Sequence, residues 1–365
     1  MMPSIGFKKI PLVHSNEVPY VEKRDSPGAL TAILVTLYVL SGSSQPLMMT
    51  VLRYTGLADP TCQLYMMFYY MGTASAIFMP LKSEWPSKVT ILKACGIALF
   101  DIVAQAMNYT GASLAGPTIF AIIYSSVTIW AAVYSQLFLG RKMVVWQWLG
   151  VMVVFGGLAL TATDSLELGP GVSHGLILVT LGSSMHGMFY VMSEAVMTVG
   201  SENLSVQQNC AIQGLTAFST LFLWQLVYTV PRFDEKLWEP MQRAGTRLTL
   251  GLGVLVVFAL ISFVHSMTFY YTLRHLPGGS TSAGVFKALQ AVLVFVFTDW
   301  IYCGRLGGDE MCFSEAKLLS LITVSGGVIW YGSATRNHGR SGTREGYEEV
   351  DDSDNGEIES LGSPC

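Results

Sequence analysis

Long apolar stretches separated by short polar connections dominate this chain of 365 residues. A helix needs roughly 20 apolar residues to cross the hydrocarbon of a bilayer, and only helices satisfy their own backbone hydrogen bonds there. The pattern therefore predicts an all-α polytopic membrane protein with ten transmembrane helices. The predicted segments are 28–50, 62–81, 88–110, 116–139, 144–163, 173–198, 206–230, 248–271, 279–302 and 315–334.

The ninth segment, 279–302, carries a lysine about a third of the way along it. An ammonium at that depth costs about 2.5 to 3.5 kcal/mol, so it indicates a functional site. Ser280, Gly284, Lys287 and Gln290 recur every three or four residues and share one face of the helix. We expect this face to border a watery cavity. The alternative is a lysine that snorkels to the membrane surface or pairs with a carboxylate for stability alone.

Several other segments carry polar side chains at helical spacing, which predicts polar stripes directed into the bundle. The stripes are Tyr38, Ser41 and Gln45; Asp101, Gln105 and Asn108; Ser183, His186, Tyr190 and Glu194; Asn209, Gln213, Thr216 and Thr220; and Ser262, His265 and Thr272. The fifth and tenth segments have no such stripe and carry glycines that suit close helix packing at an edge or in a homodimer. These glycines are Gly150, Gly156, Gly157, Gly326, Gly327 and Gly332.

The two halves of the chain repeat one another in sequence. The motif ILVTL occurs at 33–37 and again at 177–181, and Gly140-Arg141 corresponds to Gly304-Arg305. Five helices in each half give the halves opposite orientations, and such inverted repeats bind substrate between them near the midplane. The predicted divisions are an N-terminal segment 1–27, a first repeat 28–163, a linker 164–172, a second repeat 173–335 and a disordered acidic tail 336–365.

The candidate substrate-binding residues follow from these stripes and from the repeat. They are Lys287, Gln290, Ser280, Tyr124, Asp101, Gln105, Asn108, His186, Tyr190, His265 and Gln45. Asp101 either neutralises Lys287 across the repeat axis or caps a helix near the interface. Tyr124 aligns with Lys287 and either stacks a planar ligand or fills space. His186 and His265 either relay protons or bond to neighbouring helices.

Two stretches at the helix ends also have two readings each. Glu194 either serves the site or is solvated at the cytoplasmic end of its helix. Gly116-Pro117 and Pro277-Gly278-Gly279 precede the matched fourth and ninth helices. They either present free backbone donors to an anionic group or form plain tight turns.

The portion 108–142, NYTGASLAGPTIFAIIYSSVTIWAAVYSQLFLGRK, followed by WQWLGVMVVFGGLALT, resembles the end of an EamA-type repeat. The second half carries the pattern again in RHLPGGSTSAGVFKALQAVLVFVFTDWIYCGR. The chain is thus similar to the drug/metabolite transporter superfamily over roughly residues 28 to 335. The resemblance implies helices one to four and six to nine around a cavity, with five and ten outside it. The ninth-helix lysine also resembles that of nucleotide-sugar transporters.

Composition narrows the functional classes. The chain is 51% hydrophobic and only 13% charged, with a net charge of −4 set largely by its tail, so no nucleic-acid partner is expected. Its six cysteines form no zinc or haem pattern, and we predict no catalytic residues, cofactor or metal. Twelve lysines and arginines fall on one side of the membrane against six on the other, which predicts both termini in the cytoplasm.

Two further features bear on partners and compartment. Cys303 and Cys312 bracket a loop predicted to lie outside, where they either form a disulfide or stay free. Tyr347 to Val350 fits a tyrosine-based sorting signal for adaptors. The sequence as a whole predicts a carrier that moves a small polar metabolite, anionic or zwitterionic, across a lipid bilayer by alternating access. The alternatives are a nucleotide-sugar antiporter of the secretory pathway and a non-transporting receptor or scaffold on the same fold.

Overall fold

The structure is a computed structural model that describes residues 28–80, 84–115, 120, 123–160, 172–200, 202–305 and 312–355. Within these residues the chain forms helices and no β-strand, as predicted. The segment 1–27, the linker up to residue 171, the turn containing Gly116-Pro117 and the last ten residues lie outside the described part.

The principal helices coincide with the predicted apolar segments. They are α1 (Gly28–Tyr54), α2 (Leu64–Ala74), α3 (Lys88–Ala115), α4 (Val127–Leu139), α5 (Val145–Ala159), α6 (Val172–Thr198), α7 (Val206–Trp224), α8 (Leu248–His275), α9 (Gly279–Tyr302) and α10 (Glu315–Asn355). A 3-10 turn, Ser75–Phe78, extends α2, and residues 123–125 form a helical turn before α4. Irregular helical turns continue α7 as far as Arg243.

Seven helices among the described residues are long and apolar enough to cross a membrane: α1, α3, α6, α7, α8, α9 and the first part of α10. The outer faces of these helices are apolar, as contact with lipid requires. Exposed side chains on them include Leu92, Ile177, Leu260 and Ile329. The apolar helices at 123–139 and 145–159 are shorter, as is α2. Ten spans remain a prediction with which these lengths are compatible.

The helix contacts follow the order of the two predicted repeats. Helix α1 packs on α8 and α9, and its counterpart α6 packs on α3 and α4. Helix α2 contacts α7 and α8, whereas α7 contacts α2 and α3. The pairs α4 with α9 and α5 with α10 also contact each other. For each of these pairs, adding or subtracting five from both helix numbers gives another contacting pair, which is compatible with a twofold internal repeat.

Glycines bring α5 and α10 close together within one chain. A Cβ atom added at Gly150 would lie 2.9 Å from the Cβ of Tyr331, and one at Gly327 would meet Val154. Gly157 likewise faces Val324, whereas Gly156 faces open space. The predicted close packing of these helices is thus partly internal to the protomer. Gly326 and Gly332 also have nothing near them.

Helix α10 continues to Asn355, into the tail that the sequence predicted to be disordered from residue 336. No proline interrupts the chain between 336 and 355, so nothing in the backbone stops the helix there. The sorting motif at 347–350 falls on this helical stretch.

A disulfide joins the end of α9 to the start of α10. Cys303 and Cys312 are bonded, with their Cα atoms 4.6 Å apart, so one of the two readings of this pair is realised. The Asp299 carboxylate lies beside the disulfide and accepts a hydrogen bond from the Phe313 backbone N–H at 2.7 Å. This end of α9 is therefore fixed covalently and through its backbone.

Candidate substrate-binding site

Helix α9 carries Lys287 on its inner side. Its neighbours Gly284 and Ala288 are buried against other helices, and the lysine side chain keeps partial exposure. The ammonium nitrogen lies 5.7 Å from the centroid of the Tyr124 ring, within the range of a cation–π contact. Among the described residues Lys287 forms no ion pair with a carboxylate. Its charge is therefore stabilised by an aromatic face and left without an anionic partner.

Asp101, in the middle of α3, is buried and has a partner on each carboxylate oxygen. The Tyr70 hydroxyl of α2 donates to Oδ2 at 2.5 Å, and Nδ1 of His186 on α6 lies 2.8 Å from Oδ1. Gln105, one turn further along α3, brings its amide nitrogen to 3.4 Å from the same ring nitrogen. The three helices thus converge on one polar array of Tyr70, Asp101 and His186.

The sequence left two roles open for Asp101, a direct pair with Lys287 and a helix cap, and the observed contacts show neither. Asp101 does not pair directly with Lys287, because its oxygens are taken by Tyr70 and His186. It does not cap a helix either, because it lies well inside α3 and is only 3% exposed. The physical reason is proximity: α2 and α6 both present a donor to Asp101, and α9 does not.

Aromatic rings surround His186 and connect it with the lysine. The ring centroid of Tyr124 lies 5.8 Å from that of His186, and Tyr190 contacts His186 edge-on at 4.9 Å. Tyr124 therefore contacts both His186 and Lys287. The structure brings six predicted residues into one cluster: Asp101, Gln105, Tyr124, His186, Tyr190 and Lys287.

His265 occupies a neighbouring but separate position on α8. Its ring stacks on Tyr38 at 5.1 Å, and its Nδ1 lies 3.3 Å from the Ser41 hydroxyl of α1. The two histidines are separated by packed aromatic rings, including Phe269, rather than joined by hydrogen bonds. His265 therefore links α8 to α1, which matches the reading of a histidine bonded to a neighbouring helix.

Besides His265, four other predicted residues lie outside the cluster. Gln290 donates to the Tyr38 carbonyl at 3.0 Å and serves the contact between α9 and α1. Asn108 is buried against Gly182 of α6, and neither of its side-chain polar atoms has a partner among the described residues. Gln45 on α1 likewise has an amide nitrogen without a partner there. Ser280 lies in the first turn of α9, seven residues before Lys287.

The start of α9 is built around a buried carboxylate. The Glu194 side chain is 0% exposed and accepts a hydrogen bond from the Ser280 backbone N–H at 2.8 Å. Arg141, just after α4, forms an ion pair with the same carboxylate. Glu194 is therefore not solvated. The Ser280 N–H at this helix start is used by the protein's own anion, so the Gly-rich approach is more than a plain turn.

Two glycines make this close approach possible. Gly278 and Gly279 adopt positive φ angles of 83° and 41°, which disfavour residues with a Cβ. A Cβ on Gly279 would overlap the Glu194 carboxylate, and one on Gly278 would lie 2.6 Å from the Tyr331 hydroxyl. The sequence at 277–279 thus lets a helix N-terminus, with its partial positive charge, touch a buried acid.

Sequence reasoning missed one residue, Tyr70, and one pairing, that of Arg141 with Glu194. Tyr70 lies in an aromatic helix, LYMMFYYMGTA, where no polar stripe distinguishes it. The signal that points to it is the need of a buried acid on α3 for donors. Arg141 and Glu194 were each noticed in the sequence, but their pairing joins residues 53 positions apart.

Residues 28–163 match the EamA-like transporter family. This match supports membership of the drug/metabolite transporter superfamily. Among curated relatives, solute carrier family 35 member F6 from Homo sapiens and from Pongo abelii are each 24% identical over 248 residues, which cover 66% of this chain and 66% of the relative. The protein of the same description from Rattus norvegicus is 23% identical over 69% of this chain and 71% of its own length. The match to the human and orangutan proteins thus spans just under two thirds of their length.

A solved crystal structure of a protein shares the fold of this chain. Its TM-score is 0.59 at 13% sequence identity, with 85% of this chain and 98% of the other covered. The membrane-length helices and the EamA-like match support a multi-pass integral membrane protein.

Proposed function

We propose that this transporter moves a small anionic or zwitterionic metabolite by alternating access between two inverted five-helix repeats, 28–163 and 173–335. The substrate binds beside Lys287, with its negative group on the ammonium and its remainder against Tyr124. The repeated order of helix contacts supports two repeats of equal architecture. The relatives are solute carriers by description, which supports the transport of a solute.

The observation that carries this proposal is the unequal pairing of the buried charges. Asp101 is hydrogen-bonded to Tyr70 and His186, and Glu194 forms an ion pair with Arg141. The described residues contain no ion pair between Lys287 and a carboxylate. A cation within the bundle is costly unless something neutralises it. Binding of an anion relieves that cost, and a cation or an apolar molecule does not.

The contact of Arg141, Glu194 and Ser280 closes one end of the proposed pathway. It joins the first repeat, through Arg141, to the α6 and α9 helices of the second. Alternating access requires that contacts between the repeats form on one side and separate on the other. We assign this contact to the closed side, and we expect it to separate in the alternate state.

The disulfide supports the proposed orientation with both termini in the cytoplasm. That orientation places the Cys303–Cys312 connection on the opposite, outer or lumenal side, where disulfides persist. It places Arg141 on the cytoplasmic side. Epitope tags at the two ends of the chain, probed with antibody before and after selective permeabilisation of the plasma membrane, test this. Accessibility of either tag from the outer or lumenal side would contradict it.

Uptake into proteoliposomes tests the substrate class. The purified transporter is reconstituted and preloaded with one of four labelled anions: L-glutamate, L-malate, glucose 6-phosphate or UDP-glucose. We expect saturable exchange of one of them and a loss of at least about 100-fold in Lys287→Ala, because that variant lacks the cation that binds the substrate. Exchange of UDP-glucose would favour the nucleotide-sugar antiporter.

Two controls keep this result interpretable. Lys88→Gln removes an exposed lysine at the start of α3 and should leave exchange unchanged. Lys287→Ala should keep the melting temperature of the parent, since it leaves no carboxylate unpaired. Parent-level exchange by that variant would contradict the assignment of Lys287. Absence of exchange for all four anions would contradict the substrate class and favour a receptor.

A further inference from the structure

The array of Tyr70, Asp101 and His186 has a chemistry that substrate binding at Lys287 does not require. The three side chains come from α2, α3 and α6 and are 4%, 3% and 5% exposed. A carboxylate that accepts from a phenol and an imidazole is satisfied on both oxygens without help from a ligand. The carboxylate therefore needs no further donor, and the atom of the array that is still able to accept a proton belongs to the histidine.

That atom is the second ring nitrogen, Nε2. The contact to Asp101 uses Nδ1, which fixes the N–H of the neutral ring on that side and leaves the Nε2 lone pair as the acceptor. Within the described part of the chain no hydrogen bond is made to Nε2. A proton that adds to Nε2 creates an imidazolium whose charge is held by the adjacent carboxylate. When the proton leaves, the same hydrogen bond to Asp101 remains.

The groups around the array are mostly neutral tyrosines. Those that contact His186 or lie within electrostatic reach of Asp101 or His186 are Tyr69 of α2, Tyr109 of α3, Tyr124 before α4, Tyr190 of α6, His265 and Tyr270 of α8, and Lys287 of α9. Glu194, also on α6, is neutralised by Arg141. The net charge of the site is thus set by Asp101, His186 and Lys287. It is zero with a neutral imidazole and +1 with a protonated one.

His186 and Lys287 lie on either side of one aromatic ring. The Tyr124 centroid is 5.8 Å from the His186 ring and 5.7 Å from the lysine nitrogen. An anion bound at Lys287 therefore lies close enough to His186 to attract a proton there, and the converse holds by linkage.

We propose that His186 is a proton-binding site and that this protein carries a proton together with its anion. The inference rests on the proposed function, since it assigns the coupling ion of the same site. The proton adds to Nε2 from one side of the membrane and leaves Nε2 to the other, with the anion bound and released in the same cycle. One proton and one monovalent anion leave the net charge of the membrane compartments unchanged.

Nuclear magnetic resonance of the whole chain in nanodiscs tests the proton site directly. The protein contains six histidines, so ¹⁵N-imidazole labelling gives few signals, and His186→Gln assigns the relevant one. The probe is the anion among L-glutamate, L-malate, glucose 6-phosphate and UDP-glucose that the parent protein exchanges. At pH 6 this anion should shift the His186 ¹⁵N signals towards those of a doubly protonated ring, because an anion at Lys287 attracts a proton to Nε2.

The matched controls are Lys287→Gln, which removes the cation that binds the anion, and Lys88→Gln, which removes an equal charge at an exposed position. The anion should shift the His186 signals in Lys88→Gln and leave them unchanged in Lys287→Gln. His186 signals that ignore the anion in the parent protein would overturn the proposal. An equal response in Lys88→Gln and Lys287→Gln would overturn the coupling between the two groups.

Flux measurements separate this inference from the proposed function. Proteoliposomes at pH 7.5 inside receive labelled L-glutamate, L-malate, glucose 6-phosphate or UDP-glucose at pH 6 or pH 7.5 outside, and a pH dye inside reports proton entry. We expect faster uptake from the acidic side, together with internal acidification that needs the labelled anion. Uptake that needs Lys287 and ignores the pH gradient would overturn proton coupling alone. Uptake without need of Lys287 would overturn both.

Discussion

The bundle buries two carboxylates and neutralises them in different ways. Asp101 is held by a tyrosine and a histidine, whereas Glu194 is held by an arginine and a helix N-terminus. An arginine does not release its proton at any physiological pH, and a histidine does. In the proposed cycle the Glu194 contact therefore changes only when helices move, and the Asp101 array changes when His186 binds a proton. We accordingly propose a gating role for one carboxylate and a role in proton binding for the other.

The largest expected effect comes from removing the arginine. Arg141→Ala leaves the Glu194 carboxylate buried without its cation, which should lower the free energy of unfolding by about 3 kcal/mol. Size-exclusion profiles and thermal unfolding in detergent measure this. Arg141→Leu combined with Glu194→Leu should recover most of the loss, because neither charge stays buried alone.

The exposed pair of Arg243 and Glu239 supplies a matched control. Its side chains are 73% and 60% exposed, so Arg243→Ala should cost less than about 1 kcal/mol. Equal losses for Arg141→Ala and Arg243→Ala would show that burial of Glu194 carries no energetic weight, and the comparison of the two carboxylates would fail.

The next effect in size is expected at the other carboxylate. Asp101→Asn keeps the shape of the side chain and removes its charge, so no buried ion is left unpaired. We expect a loss of stability of about 1 to 2 kcal/mol, from weaker hydrogen bonds to Tyr70 and His186. The ¹⁵N signals of the His186 ring should also shift, because the amide does not hold the Nδ1–H as a carboxylate does. Unchanged signals would contradict the pairing of Asp101 with His186.

A smaller effect is expected when the tyrosine donor is removed. Tyr70→Phe deletes one hydrogen bond to Asp101 Oδ2 and should cost about 1 kcal/mol. Tyr69, at the adjacent position, makes no hydrogen bond to this carboxylate, so Tyr69→Phe is the control. Thermal unfolding of the two variants side by side provides the measurement. A larger loss in Tyr69→Phe would show that Tyr70 is not the main support of the carboxylate.

The smallest effect concerns a third carboxylate, which lies at the surface. Glu202 accepts hydrogen bonds from the Ser87 backbone N–H at 3.3 Å and the Thr90 hydroxyl at 3.2 Å, ahead of and at the start of α3. The hydrogen bonds from Ser87 hold the pKa of Glu202 below its usual value. A carboxyl with a lowered pKa stabilises the fold at neutral pH and loses that contribution as the pH falls through its pKa.

Glu202→Gln should therefore lower the melting temperature only slightly at pH 7, and the difference from the parent should vanish in acid. A pH series of melting curves measures it. A difference that grows as the pH falls would have the wrong sign for this contact.

The sequence identified single residues of the site more readily than it identified the partners that these residues contact. Spacing identified Lys287, Asp101 and His186 because charged and polar groups stand out in an apolar helix. It did not identify Tyr70, since a tyrosine among aromatic neighbours gives no periodic contrast. It did not choose the partner of Asp101 either. That choice depends on which helices lie beside α3, and a one-dimensional pattern carries no such distance.

The repeat illustrates the same limit from another direction. Gly140 and Gly304 were matched by sequence alone, and both have positive φ angles, 66° and 65°. The contacts beside these two turns differ, because Arg141 pairs with Glu194, whereas the end of α9 is held by a disulfide. Two copies of a unit keep their backbone turns and diverge in side-chain chemistry.

The glycine-rich start of α9 has a mechanical consequence. Ser280 and Lys287 belong to one uninterrupted helix, seven residues and about 10 Å apart along its axis. A helical segment of this length moves almost as a rigid body. In the proposed cycle, a shift of α9 away from Glu194 at its first turn would also reach Lys287, so separation of this contact and displacement of the ammonium would be one movement.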